Sequence, residues 1–312
     1  MPQKKVNRLA LALKSRKASR AKRGKLADLL VSPGIRQRYD AAVAALLAFW
    51  KYYGLFPASI WTLDQSTAAF VEQCWGEGEP YSLVSDALAG LQFFMPVARR
   101  HLQRSWKLMK AWSREEPSQR ATPFSPILLL GFAGAAVAVG HIELAAFLLV
   151  GFDTFARTGE LMRIQVCHVS FAKEKAIIRL EQSKTAVRKN ASEMLIVESS
   201  VAVRFLRLAL NGKMPGQLML QMTPSRFRTA FQLLKAFFNV TDNLAPYSLR
   251  RGGATWDFLK HGSMERTLLK GRWQSNSSAR IYLTDAVAAV ALLRLTPQQE
   301  KLLRYCASFL HM

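Results

Sequence analysis

In a 312-residue chain, five residues of types that can handle phosphate stand out by the order in which they follow one another. They are Arg157, Lys184, Arg250, Trp273 and Tyr282, at intervals of 27, 66, 23 and 9 residues. Arg157 and Glu160 stand in "FARTGEL", closing a strongly apolar run, where a charged pair ordinarily marks a solvated helix end. Lys184 sits where a β-type run meets its turn, ordinarily an exposed place for lysine. Arg250 in "YSLRRGGAT" opens a helical stretch whose Gly252, Gly253 and Ala254 let a backbone or a phosphate come close. Helix N-termini are ready phosphate sites. Tyr282 closes "GRWQSNSSARIYL" behind a row of small hydroxyl and amide side chains, although a lone tyrosine on a helix ordinarily belongs to the core. Each position has an ordinary reading alone; the ordered set does not.

The charge agrees with a polyanionic partner. The chain carries 44 Lys+Arg against 21 Asp+Glu, a net +23. The first 25 residues hold ten basic residues and no acid, yet without them 34 basic residues still face 21 acidic ones. Nucleic acid is the first reading, because neutralising its closely spaced phosphates releases counterions. A membrane surface or an acidic protein are the alternatives. The acid-free start reads as a transit peptide, a nuclear-import patch or a DNA-binding arm, which composition does not separate. Cys74, Cys167 and Cys306 are odd in number and far apart, so no disulfide framework is implied. The five histidines (His101, His141, His168, His261, His311) show no metal-ligand spacing. A reducing compartment fits.

The elements that must position these residues fall into three segments. Residues 1–34 read as a basic flexible tail ending at "SPG". Residues 35–117 are helical: Ile35, Tyr39, Val43, Leu46, Trp50 and Tyr53 recur at helical spacing until Gly54. Further helical patterns follow near 64–75, 82–95 and 101–112, the last basic through Arg99, Arg100, Arg104, Lys107 and Lys110. "SREEPSQRATPFSP" breaks the pattern and sets a boundary near residue 118. Residues 118–312 open with an apolar stretch, 127–152, long enough to span a bilayer but interrupted by Gly140, His141 and Glu143. It reads as two buried helices, not a membrane span. The runs "IQVCHVSF", "AIIRLEQ" and "SEMLIVE" then predict a three-stranded meander. Helices are expected near 199–210, 224–238, 249–261 and 277–293. The fold class is therefore mainly α with a small β-meander.

The ordered boxes resemble those of the tyrosine recombinases, the phage-integrase family, and in particular those carried by eukaryotic mobile elements. "FARTGEL" resembles the first arginine box, with Arg157 the catalytic arginine and Glu160 its acidic companion. "SKT" resembles the hairpin lysine box, giving Lys184. "YSLRRGGAT" resembles the His-x-x-Arg box, with Arg250 the second arginine but Tyr247 in place of histidine. "GRWQSNSSARIYL" resembles the terminal box, with Trp273 at the His/Trp position and Tyr282 the nucleophile. The resemblance covers about 120–295 well, and residues 35–116 only in general character.

The resemblance implies a two-domain DNA clamp, with an all-helical core-binding domain and an α+β catalytic domain. It implies strand breakage and rejoining through a 3′-phosphotyrosyl intermediate, without metal, ATP or small-molecule cofactor. Two arginines donate to the non-bridging oxygens, nearby cations favour the phenolate, and Lys184 supplies the leaving-group proton. The expected partner is double-stranded DNA, held by a homo-oligomer, dimer or tetramer; no membrane is expected. Ala286, Val290, Leu293 and Leu302 are candidates to pack on a neighbouring protomer or on their own domain. The expected location is nuclear in a eukaryote and otherwise nucleoid or cytoplasm, with organellar targeting open. Three alternatives stand: a type IB topoisomerase, a telomere-resolvase-like enzyme, and a degenerate DNA binder of the same fold.

Overall fold

Runs of alanine, leucine, lysine and arginine without glycine or proline form helix wherever neighbouring residues do not forbid it. The computed structural model describes residues 8–23, 25–117, 119, 121–180, 193–273 and 295–311, and it begins with such a run. Helix α1 (Arg8–Arg23) lies in the segment expected to be a flexible tail. The backbone is helical there, and the side chains from Leu13 to Ala21 are exposed. A short 3-10 turn (Leu26–Leu29) follows. By contacts the chain divides into two units, Met1–Gln119 and Arg120–Met312.

The first unit is built of α2 (Pro33–Tyr53), α3 (Leu63–Gly76), α4 (Tyr81–Phe94) and α5 (Gln103–Glu115). Pro33 starts α2, and Gly54 ends it at φ 66, a left-handed conformation glycine adopts without strain. Leu46, Trp50, Phe70, Val71, Val84, Leu88, Met109 and Trp112 form one core. Helix α5 lacks a local cap, because Leu102 precedes it. Asp64 of α3 caps it from a distance: its carboxylate accepts from Arg104 N (2.7 Å), Ser105 N (2.9 Å) and Ser105 Oγ (2.7 Å). A carboxylate at a helix N-terminus also meets the positive end of its dipole. So fixed, α5 buries Ser105, Met109 and Trp112 and leaves Arg104, Lys107, Lys110 and Arg114 exposed.

The second unit wraps its core around α6 (Pro126–Ala138) and α7 (Ile142–Thr154), joined at Gly140 with φ 78. No helix among the described residues is long and apolar enough to cross a membrane. Glu143, the charge that interrupts the apolar stretch, pairs with Lys213 at 2.6 Å and accepts from Gln221 N. After the short helix α8 (Thr158–Leu161), strands β1 (Val169–Ala172), β2 (Lys175–Leu180) and β3 (Glu193–Val197) make an antiparallel meander in the order β1-β2-β3. Alternation puts Ala176, Ile178 and Leu180 into the core. The first strand is shorter than its apolar run, because Val166–His168 coils into a 3-10 turn with Gln165 N donating to His168 Nδ1.

Helices α9 (Ser200–Leu210), α10 (Pro224–Phe237), α11 (Ser248–His261), α12 (Met264–Gly271) and α13 (Pro297–Ser308) complete the described residues. Helix α13 packs on α6 of its own unit: a Cβ on Gly134 would lie 1.9 Å from the Cys306 carbonyl oxygen. Leu303 is buried there, and Leu302 packs against the same core of its own unit. The expected helix near 277–293, with Ala286, Val290 and Leu293, lies outside the described residues.

Asp64→Ala should destabilise the first unit by about 1 kcal/mol, the usual loss for a helix cap. Chemical unfolding of the full chain checks this, and the early amides of α5 should lose hydrogen-exchange protection first.

Candidate active site

Burying a guanidinium requires that its donors find acceptors and its charge find partners. Arg250, on the first turn of α11, is 2% exposed. Its Nη1 donates to the Phe155 carbonyl and its Nη2 to the Gly271 carbonyl at 2.7 Å. The guanidinium carbon lies 4.4 Å from the centre of the Trp273 ring, a cation–π contact. Three segments therefore meet at one side chain: the end of α7, the end of α12 and Trp273.

The neighbouring glycines make that meeting possible. A Cβ on Gly252 would lie 2.2 Å from the Phe124 carbonyl oxygen, and one on Gly253 2.0 Å from that of Phe152. The close approach read from "RRGGAT" is thus to backbone of the same unit. A Cβ on Gly271 would strike the Trp273 ring at 1.9 Å, so that glycine lets the indole fold back toward Arg250. Phe155 closes α7 in the left-handed region at φ 51, which turns its carbonyl to Arg250 and sends the chain on to Arg157.

Arg157 precedes α8 and is closed onto Glu160. Its N–H donates to Glu160 Oε2 at 2.9 Å and its Nη1 to Oε1 at 2.7 Å. The Arg157 side chain is 38% exposed while that of Glu160 is 5% exposed. A second arginine, unforeseen in the sequence, completes the pair: Arg272 Nη2 donates to Glu160 Oε2 at 2.7 Å and Nη1 to Glu193 Oε2 at 3.1 Å. Burial by itself would raise the pKa of Glu160, but Arg272 and Arg157 outweigh it and hold the carboxyl below its ordinary value. Burial pushes Arg250 down to about 10, with Arg157 and Arg272 adding to the effect and Tyr247 and Glu160 opposing it. Tyr247, directly before α11 and 38% exposed, is thus near enough to act on the charge of Arg250.

Of the residues expected at the site, Arg157 and Glu160 touch each other, Arg250 and Trp273 touch each other, and Tyr247 stands beside Arg250. Lys184 and Tyr282 lie outside the described residues. Arg272 had one legible signal, its place beside Trp273, but a basic residue after a helix end ordinarily reads as solvated.

Seen as a whole, the chain has known structural counterparts. A lambda integrase dimer bound to a COC′ core site is similar with a TM-score of 0.57 at 15% identity, over 87% of this chain and 93% of that one. The Tn1549 transposon integrase in complex with transposon right end DNA gives 0.58 at 12% identity, over 82% of this chain and 98% of that one. XerH site-specific recombinase bound to difH substrate gives 0.52 at 12% identity, over 72% and 69%. This chain has the tyrosine-recombinase fold. No family model and no curated protein matches the sequence itself.

Within this tyrosine-recombinase fold, α12 carries both Gly271 and Arg272 and must be held in place. An ion network does so. Lys270 Nζ reaches Glu198 (3.1 Å), Asp153 (3.5 Å) and Asp257 (3.8 Å), and Arg266 reaches Glu198 (3.0 Å) and Asp257 (3.4 Å). Asp153 accepts from the backbone N–H groups of Glu198 (2.6 Å) and Ser199 (3.1 Å), and Thr267 donates to Asp257 at 3.0 Å. Helix α12 is thereby tied to α7, to α11 and to the joint between β3 and α9. Partial burial would raise the pKa of Glu198, but Lys270, Lys175 and Arg266 bring it down to about 2.

A carboxyl whose pKa is depressed on folding stabilises the native state above its unfolded value and loses that contribution as pH falls through the folded one. Stability should accordingly hold from neutrality to about pH 4.5 and fall between there and about pH 2. Thermal melts across pH should show this decline, and Glu198→Gln should be less stable than wild type at pH 7 with a shallower acid slope.

Proposed function

We propose that this protein breaks and rejoins DNA strands as a recombinase or integrase. The observation that carries the reading is Arg250: a guanidinium buried at a helix start, held by two backbone carbonyls and Trp273, with Arg157 and Tyr247 alongside. Supporting it are the fold, the net charge of +23 and the exposed basic face of α5 in the other unit.

The chemistry follows from residue types. Arg157 and Arg250 hold the non-bridging oxygens of a scissile phosphate and balance the charge that grows on them. Such cations also favour the phenolate of Tyr282. Its oxygen attacks phosphorus, the bond to the 5′ oxygen breaks, and a 3′-phosphotyrosyl bond forms. The departing 5′ oxygen takes a proton from Lys184. The phosphotyrosyl bond retains the energy of the bond it replaced, so a 5′-hydroxyl of another strand reverses the step without a nucleotide cofactor. Trp273 stacks on Arg250 and keeps it aimed. Tyr247 donates a hydrogen bond to a phosphate oxygen, where a histidine would also titrate near neutrality. A dimer or tetramer on duplex DNA brings the exchanging strands together.

Tyr282→Phe should abolish covalent adduct formation on a nicked duplex and leave DNA affinity almost unchanged, since affinity rests on many phosphate contacts. An adduct in that variant, or one mapped to Tyr247, refutes the assignment. Tyr247→His should raise single-turnover cleavage by roughly tenfold and give it an inflection near pH 6.5. Tyr247→Phe should slow cleavage. Wild type that shifts DNA but never forms an adduct, while Tyr247→His does, identifies instead a DNA binder with a disabled site.

A further inference from the structure

Arg272 occupies a conformation its side chain disfavours. It closes α12 in the left-handed region at φ 55, with its N–H donating to the Leu269 carbonyl and that of Trp273 to the Leu268 carbonyl, both at 3.1 Å. Helices ordinarily build this paired closure around glycine. Here the adjacent Gly271 is occupied otherwise, and an arginine bears the strain.

What the arginine reaches explains its presence. One guanidinium spans two carboxylates on different segments: Glu160, which holds Arg157, and Glu193, the first residue of β3. Its backbone joins the Gly271 carbonyl, which holds Arg250, to Trp273, which stacks on Arg250. It is 11% exposed and its two carboxylate partners are 5% and 16% exposed, so these bonds form largely away from water. A lysine presents a point charge and no planar fork, and cannot serve both carboxylates in this geometry.

We infer that Arg272 is a positioning residue for strand cleavage: it shares the Glu160 carboxylate with Arg157, locks the start of β3 to it, and thereby sets Arg157 and Arg250 at a fixed spacing for one phosphate. This rests on the recombinase reading. Glu160 faces Arg157 on its own segment, Arg272 after α12 and the charge of Arg250 on α11, while Glu193 of β3 shares Arg272. With Arg272 gone, Glu160 keeps its burial and loses its foremost cation, and its pKa rises.

The test uses the full chain and a duplex nicked beside the cleavage site. Arg272→Gly suits the left-handed backbone, so the variant folds, yet it lacks the guanidinium. Single-turnover adduct formation should fall on the order of 10- to 100-fold, the scale for misplacing a catalytic group, with DNA affinity little changed. Its rate should also acquire a loss on the acid side that wild type lacks. Adding Glu160→Gln, which needs no counter-ion, should remove that acid-side loss and recover part of the rate, and Arg272→Lys should fall between wild type and glycine. Arg272→Gly that cleaves at the wild-type rate with the wild-type pH profile overturns the positioning role alone. A slowed variant whose pH profile is unchanged and which Glu160→Gln does not help also overturns it. Wild type that forms no adduct overturns the recombinase reading, and this role with it.

Discussion

A permanent positive charge withdrawn from water is tolerated only where the protein has arranged acceptors around it beforehand. Arg250 imposes that demand on the whole second unit. Its two carbonyl acceptors come from the ends of α7 and α12, and its ring partner from the residue that follows Arg272. Each of those segments must arrive at one point, and each does so through a local departure from ordinary helix: the left-handed Phe155 and Arg272, and the Cβ-free contacts of Gly252, Gly253 and Gly271. A side chain at Gly252 or Gly253 would push α11 off the backbone of Phe124 or Phe152, and one at Gly271 would strike Trp273.

The second constraint is repulsion among like charges. Arg157, Arg250 and Arg272 lie close enough that the first and last depress the pKa of Arg250. Glu160 offsets them at close range, and Glu193 offsets Arg272 from the other side. The network of Lys270, Arg266, Asp153, Glu198 and Asp257 serves another end: it fastens α12 so that the Gly271 carbonyl does not drift from Arg250. Its worth is geometric, since partly exposed ion pairs add little stability individually.

Much of this was legible in the chain. Helical patterns marked α2 through α5, the apolar stretch interrupted at Gly140, His141 and Glu143 marked α6 and α7, the alternation in "AIIRL" marked β2, and Gly54 marked a helix end. The two arginines and Trp273 were visible as an ordered set. What escaped has physical reasons. The described side chains of α1, Leu13 to Ala21, are exposed, so hydrophobic periodicity was silent there and only propensity spoke. The turn at Val166–His168 hid inside an apolar run that reads equally as strand. Asp64 caps a helix from forty residues away, and Arg272 joins three segments, so both are long-range facts that spacing along the chain does not encode. Helix α12 was not among the expected helices: it is only eight residues long, and several of its polar side chains pair inward.

The seating of α13 on α6 has a temporal side. The glycine-lined face of α6 is made early on the ribosome, whereas Leu303 and Cys306, which cover it, are made near the end of the stretch described here. Contacts between such distant parts of a chain are slow to form and cannot form before both parts exist. A nascent or truncated chain therefore holds the arginines of the site without a closed core beneath them. This face of the second unit's core closes only once α13 has left the ribosome.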